Sequence, residues 1–178
     1  MITKKEYEQA RQETLKRFRE AGIRVTPEEA ERIEVADFGL SNLPEIGLEI
    51  LTYVNTEKVC AKEMVLFPGQ TCPEHIHVDG PGYEGKKETF RVRRGKVYLY
   101  VSGEPTPDIQ AKMPPSKVTV FHEIVLTEGQ QYTLYPRTLH WFQGGPEGAI
   151  VSEFSTRSRD ESDIFTDPAI SRLPEIGE

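Results

Sequence analysis

Residues 72–90 read CPEHIHVDGPGYEGKKETF, which places two histidines one residue apart and a glutamate after a glycine-containing turn. On an extended backbone, His75 and His77 direct their rings to the same face. Three imidazoles and one carboxylate suit a divalent ion of Mn, Fe, Co, Ni or Zn and leave room for water or substrate, unlike a closed structural site. The predicted ligands are His75, His77, Glu88 and the distant His140 in YPRTLHWFQGG.

Short runs rich in Val, Ile, Thr, Tyr and Phe fill the chain from about residue 48 onward, and Pro and Gly turn signals separate them. The runs are LEILTYVNT, CAKEMVLF, KETFRVRRG, KVYLYVSG, KVTVFHEIVL, QYTLYP and AIVSEFST. Short strands with turns between them predict an all-β core, built as an antiparallel sandwich or barrel.

The N-terminal part carries helix-start signals instead. TKKE at residues 3–6 and TPEE at residues 26–29 have the spacing of capping boxes. We expect the first helix to stop at Gly22 and the second to run through Ala36 to about Gly39. A chain of 178 residues suits one domain. We divide it into a helical extension (1–45), a β-barrel (46–155) and a surface tail (156–178).

Composition and charge exclude several classes of function. The net charge of −7 disfavours binding to nucleic acid, because phosphates would be repelled. No apolar run has the length of a membrane span, and the charged N-terminus lacks a signal-peptide core. The two cysteines are too few for a disulfide framework. We therefore expect a cytoplasmic protein.

Two glycine-framed motifs resemble those of the cupins. The first is Gly69-x5-His75-x-His77-x10-Glu88-x6-Gly95, in which the gap before the glutamate is longer than usual. The second is Gly129-x5-Tyr135-x-Arg137-x2-His140-x3-Gly144. It has tyrosine where proline is usual, arginine where glycine is usual, and a final glycine in place of asparagine. None of these departures removes a ligand, so the resemblance implies a cupin fold.

Longer strings resemble the small D-lyxose isomerases among the cupins. They are KEMVLFPGQTCPEHIH at residues 62–77, EGKKETFRVRRGKVYLYVSGE at residues 84–104, and LHWFQGGPEGAIVSEFSTRSRDESDIFTDPAI at residues 139–170. The resemblance implies interconversion of D-lyxose with D-xylulose, and of D-mannose with D-fructose. It also implies a divalent metal, commonly manganese, and a homodimer that binds a monosaccharide.

Aldose–ketose isomerisation through a cis-enediolate needs an acid–base group beside the metal. Lys86 shares a strand face with Glu88, and we expect a nearby cation to lower the pKa of its amine. Glu153 and Lys62 are charges within otherwise apolar strands, which is costly unless they have partners. The candidate catalytic residues are therefore Glu153, Lys86 and Lys62. Lys87 should face away.

Other functions remain open from the residues alone. An iron-dependent cupin dioxygenase could use the same ligands, but it would not need acid–base residues beside the metal. A cupin phosphosugar isomerase would need a basic cradle for phosphate, whereas the motif neighbourhood is acidic. A non-enzymatic sugar-binding cupin would not need the metal ligands. We assign no ligand role to His122, which has no partner at ligand spacing, or to Cys72, which we expect to be a small buried residue.

Overall fold

The computed structural model describes residues 2–173 and 175–177. The helices are α1 (Lys4–Glu20) and α2 (Pro27–Ala30). The strands are β1 (Ile2–Thr3), β2 (Glu34–Ala36), β3 (Leu48–Asn55), β4 (Cys60–Leu66), β5 (Thr71–Ile76), β6 (Glu88–Val101), β7 (His122–Thr127), β8 (Gln131–Leu134), β9 (His140–Ser155), β10 (Ile164–Phe165) and β11 (Ile176–Gly177). The cupin-like, mostly antiparallel β fold expected from the sequence is confirmed.

Two long antiparallel strands, β6 and β9, form the spine of the fold. They pair from Glu88 opposite Ser155 to Val101 opposite His140. Bulges interrupt the pairing near Gly95, whose positive φ of 79° suits glycine. A straight run of this length would span roughly 40 Å. Instead, Glu88 Oε1 lies 3.3 Å from His140 Nε2, so the ribbon curls until its two ends meet.

The curled ribbon contributes to both layers of a sandwich. One layer contains β2, β3, β4, β8 and the Ser155 end of β9, and the other contains β10, β5, β7 and the His140 end of β9. A core of interior aliphatic and aromatic side chains fills the space between them, including Phe90 and Phe142. The open end of this core holds the polar cavity described below.

The N-terminal helix covers the outer face of the first layer. Thr3 and Glu6 form the predicted capping box, and Phe18 is buried against Leu51 and Val65. The second capping box, at residues 26–29, is also present. Among the described residues, no helix has the length and apolar character needed to cross a membrane.

The prediction that the second helix runs through Ala36 is wrong. Helix α2 ends at Ala30, and residues 34–36 form β2 instead. This strand pairs antiparallel with β3 and buries Val35 under α1. Here, edge pairing with a neighbouring strand outweighs the local helix signal.

The segment after β9 is more than a surface tail. Ile164 and Phe165 form β10, which pairs with β5, and several side chains of this segment enter the cavity. Most of the side chains that this segment places in the cavity are aspartate or arginine. Because such residues are usually solvated, the sequence predicted a surface stretch. The chain ends also pair, through β1 and β11.

Candidate active site

Three buried histidines converge at the open end of the barrel. The ligand nitrogens of His75, His77 and His140 lie within 4.8 Å of one another. The strand register explains this, because His75 of β5 is the direct cross-strand partner of His140 of β9. His77 lies two residues beyond His75, so its ring points to the same side.

Backbone carbonyls fix the tautomer of two of these rings. His75 Nδ1 lies 2.8 Å from Pro73 O, and His140 Nδ1 lies 2.9 Å from Thr138 O. A carbonyl oxygen can only accept, so in the neutral rings each Nδ1 carries the proton and each Nε2 presents a lone pair. His140 Nε2 is buried without a hydrogen-bond partner. Converging buried lone pairs fit a divalent cation.

Glu88 lies against the same nitrogens. Its Oε1 is 2.9 Å from His77 Nε2 and 3.3 Å from His140 Nε2, and the residue is 1% exposed. The structure therefore brings the four predicted ligands together. A set of three imidazole nitrogens and one carboxylate oxygen could hold a first-row divalent metal.

The protonation of these groups follows from burial and neighbouring charge. Burial, followed by the charges of His140 and His77, holds the pKa of His75 well below its usual value. Burial also opposes a charge on His77, but Glu88 and Asp163 outweigh it and raise its pKa to about 9. Burial would raise the pKa of Glu88, yet Lys86 and His77 hold it well below its usual range. Glu88 is therefore a ready anionic donor.

The three predicted catalytic residues form one buried cluster beside the histidines. Lys62 and Glu153 are cross-strand partners on β4 and β9, with Lys62 Nζ 3.9 Å from Glu153 Oε1. Lys86 Nζ lies 3.2 Å from the same oxygen and 2.7 Å from Glu88 Oε2. Lys86 thus connects the candidate metal ligands to Glu153.

The expectation of a lowered pKa for Lys86 assumed a bound cation, and the charges of the protein alone act in the opposite direction. Burial lowers the pKa, but the carboxylates of Glu153, Glu88 and Asp160 together raise it well above its usual value. The sequence argument weighed a nearby cation and did not include this ring of carboxylates. These carboxylates favour the ammonium form of Lys86, which is suited to donate hydrogen bonds and to stabilise negative charge.

Two cavity residues were missed by the sequence analysis. Asp160 Oδ2 lies 2.6 Å from Lys62 Nζ, and Asp163 Oδ1 lies 2.6 Å from His77 Nδ1. Both belong to the segment expected to be a surface tail. The only signal was the acidic cluster at residues 160–163, and such clusters are usually solvated.

The sequence analysis gave no ligand role to His122 or Cys72. His122 is on β7, where its Nδ1 is 2.9 Å from Glu104 O. Cys72 is a buried free thiol that belongs to the core and also lines the cavity. Neither belongs to the histidine cluster.

Solved structures with a similar fold include L-ribose isomerases. An L-ribose isomerase variant of Acinetobacter sp. DL28, in complex with L-ribose, has a TM-score of 0.82 at 17% identity, covering 99% of this chain and 98% of the other. The L-ribose isomerase of Cellulomonas parahominis with L-ribose has a TM-score of 0.76 at 20% identity, with the same coverage. At these identities the likeness concerns the fold alone.

Curated relatives match nearly the whole chain, whereas no family model matches it. The chain is 61% identical to the D-lyxose ketol-isomerase of Cohnella laeviribosi, with 96% of each covered. It is 58% identical to the D-lyxose ketol-isomerase of Thermofilum sp. and 57% identical to the D-lyxose/D-mannose isomerase of Thermosediminibacter oceani, with 99% of each covered. On this full-length identity, the chain belongs to the D-lyxose ketol-isomerase family.

Proposed function

We propose that this protein is an aldose–ketose isomerase that interconverts D-lyxose with D-xylulose, and D-mannose with D-fructose. The observation that carries the proposal is the placement of the His/Glu donor group beside an acid–base pair in one buried cavity. Lys86 Nζ contacts both Glu88 Oε2, at 2.7 Å, and Glu153 Oε1, at 3.2 Å. A proton shuttle and a charge-stabilising centre are what an enediolate route requires.

The residues of the chain divide the work as follows. His75, His77, Glu88 and His140 would hold a divalent cation, which would supply Lewis-acid stabilisation of the developing oxygen charge. Glu153, as a carboxylate, takes the proton from one substrate carbon and returns it to the neighbouring carbon. Lys86, as an ammonium, donates a hydrogen bond to a substrate oxygen. Lys62 holds Glu153 in place from the adjacent strand.

The metal that we propose is Mn²⁺. Nitrogen and oxygen donors without a thiolate suit manganese, and cobalt, nickel, zinc or iron share this preference closely enough to need direct comparison. Cys72, the nearest thiol in sequence, is buried in the core and lies outside the histidine cluster.

We further propose that the protein acts as a homodimer in the cytoplasm on free monosaccharides. Exposed apolar side chains on the first layer, including Val54 and Phe154, support association. The two free cysteines fit a reducing compartment. Lys62, Lys86 and Arg172 also line the cavity, but each is paired with a carboxylate, which disfavours binding of a phosphorylated sugar.

The test is to remove the metal and then add Mn²⁺, Co²⁺, Ni²⁺, Zn²⁺ or Fe²⁺ separately, with D-lyxose, D-mannose and D-xylose as substrates. We expect the greatest activity with D-lyxose and Mn²⁺ and none without metal. His77→Ala and His140→Ala should lose bound metal. Full activity of the metal-free protein, or full metal occupancy in both variants, would contradict the proposal, and O₂ consumption with Fe²⁺ would indicate a dioxygenase.

A further inference from the structure

Residues 158–172, the C-terminal strap, cross the open end of the barrel and are fastened at several points. β10 within the strap pairs with β5, next to the histidines. The other fastenings are Ser158 to Asn55, Thr166 to Glu74, Ser171 to Phe38 and Arg172 to Glu34. Side chains of the strap are therefore presented to the cavity from a defined backbone.

Asp163 of the strap contacts a candidate metal ligand from behind. Its Oδ1 lies 2.6 Å from His77 Nδ1, and its side chain is 7% exposed. His75 and His140 make the equivalent contact with neutral backbone carbonyls. Among the three histidines, His77 is thus the one oriented by an anionic side chain. A carboxylate in this position fixes the ring and makes the opposite nitrogen a stronger donor.

Asp160 of the strap contacts the acid–base side of the same cavity. Its Oδ2 lies 2.6 Å from Lys62 Nζ, and its Oδ1 lies 3.4 Å from Lys86 Nζ. Arg172 Nη2 lies 3.4 Å from Asp160 Oδ2 and holds it from the other side. Asp160 and Glu153 each contact both ammonium groups, and their negative charges offset the repulsion between Lys62 and Lys86.

We propose that the C-terminal strap provides two positioning carboxylates with separate tasks. Asp163 acts through His77 and raises the affinity of the site for its divalent cation. Asp160 contacts the ammonium groups of Lys62 and Lys86 and keeps them positioned beside Glu153. The proposal rests on the isomerase function proposed above, and it assigns to the strap a role on each side of the chemistry. If the two roles are distinct, replacing Asp163 should change cation affinity, and replacing Asp160 should change kcat.

The experiment compares Asp163→Asn, Asp160→Asn and the control Asp167→Asn in the full-length protein. Asp167 lies in the same strap but accepts from the backbone N–H groups of Lys117 and Ala169, away from the cavity. Metal-free protein is titrated with Co²⁺ against a chelator, and its visible spectrum is recorded. The kcat and KM for D-lyxose are then measured at limiting and saturating Mn²⁺.

We expect Asp163→Asn to raise the Co²⁺ dissociation constant roughly 10- to 100-fold, to shift the Co²⁺ spectrum, and to recover most of its kcat at saturating Mn²⁺. Asp160→Asn should keep the wild-type Co²⁺ affinity yet lose roughly 10- to 100-fold in kcat with little change in KM, and added metal should not restore it. Asp167→Asn should match the wild type in both measurements.

Two results would overturn the proposal while leaving the isomerase assignment intact. The first is an unchanged Co²⁺ affinity in Asp163→Asn when His77→Ala loses it. The second is an equal loss of affinity in Asp160→Asn and Asp163→Asn, which would mean that the strap acts only as a structural cover. If His77→Ala itself keeps its affinity, the metal site fails and the proposal fails with it.

Discussion

At the scale of single residues, Lys86 and Lys87 show how one position along a strand decides a side chain's role. Lys86 is 7% exposed and contacts Glu88 and Glu153. Lys87 is exposed, and its Nζ lies 4.8 Å from the centre of the Tyr135 ring outside the cavity. Because neighbouring residues on an extended chain face opposite sides, these two lysines provide a matched pair for testing the acid–base assignment.

Replacing the proposed acid–base residues should reduce turnover without loss of metal. Glu153→Gln and Lys86→Ala should each lower kcat at least about a hundredfold, the usual scale of general acid–base catalysis. Lys87→Ala should behave like the wild type. Steady-state kinetics with D-lyxose, together with metal analysis, measures this. Solvent deuterium should enter the recovered sugar at C1 or C2, and its absence with both variants active would indicate a hydride shift or other bases.

Glu49 predicts a dependence of stability on pH that is separate from the active site. Glu49 lies on β3. Its Oε1 accepts a hydrogen bond from Gln70 Nε2, and its Oε2 is buried without a hydrogen-bond partner. Burial raises its pKa from 4.5 to about 8. In the unfolded chain the Glu49 carboxyl group loses its proton near pH 4.5, whereas in the folded protein it retains the proton until about pH 8. The contribution of the protonated Glu49 to folding stability is therefore fully present below pH 4.5 and declines as the pH rises to about 8.

Glu49→Gln should remove this penalty, because the amide stays neutral. At pH 9 the variant should be more stable than the wild type by a few kcal/mol, on the order expected for such a shift, and near pH 4 the two should be alike. Urea unfolding at both pH values measures the difference. A stability difference independent of pH would show that folding does not shift the pKa of Glu49.

At the scale of elements, the curl of β6 and β9 depends on close contact at their bend. A Cβ at Gly95 would lie 2.2 Å from Gly148 O, and both glycines have a φ of 79°. The bend is where the ribbon turns back to bring Glu88 to His140. A side chain here would both strain the backbone and separate the strands.

Gly95→Ala should therefore destabilise the protein more than the same change at Gly129. Gly129 has a similar φ of 82°, but a Cβ there would meet nothing within 4 Å. Gly129→Ala should cost about 1 kcal/mol from backbone strain alone. Gly95→Ala should cost about 1–3 kcal/mol more, from overpacking. Thermal or denaturant unfolding gives both values, and equal losses would contradict the role assigned to the bend.

The elements also show how far the sequence could predict the fold and the site. Spacing was enough to predict that the side chains of His75, His77, Glu88 and His140 would converge, because strand periodicity and glycine frames are local signals. Arg137 occupies the position where the cupin motif usually has glycine, and its φ of 66° is in the left-handed region that glycine favours. An ion pair with Asp79 accompanies this unusual residue. The contacts of Asp160 and Asp163 depend on how a distant segment crosses the barrel, and no local pattern reports that.

At the scale of the whole molecule, the outer face of the first layer carries an apolar row that α1 leaves uncovered. Ala61 is the cross-strand partner of both Val54 and Phe154. Val54 and Phe154 are 39% and 51% exposed. A contiguous row of this kind is a suitable site for association of two copies.

Light scattering at micromolar concentration should give the mass of two chains. Phe154→Glu should shift this to one chain, because a charge would be buried in the interface. Met113→Glu, a change at another exposed apolar residue, should leave the dimer intact. A monomeric wild-type protein, or a dimer unaffected by Phe154→Glu, would reject this surface.

The position of β9 in the chain has a consequence for biosynthesis. This strand pairs with β4, β5 and β6, all of which precede it in the sequence. During translation these three strands leave the ribosome before β9, and the strand edges that pair with β9 remain unpaired until residues 140–155 are translated. Neither the barrel nor the histidine cluster can assemble before then, since His140 opens β9. The nascent chain therefore passes through an aggregation-prone interval, and the four proposed metal ligands can come together only after His140 has been translated.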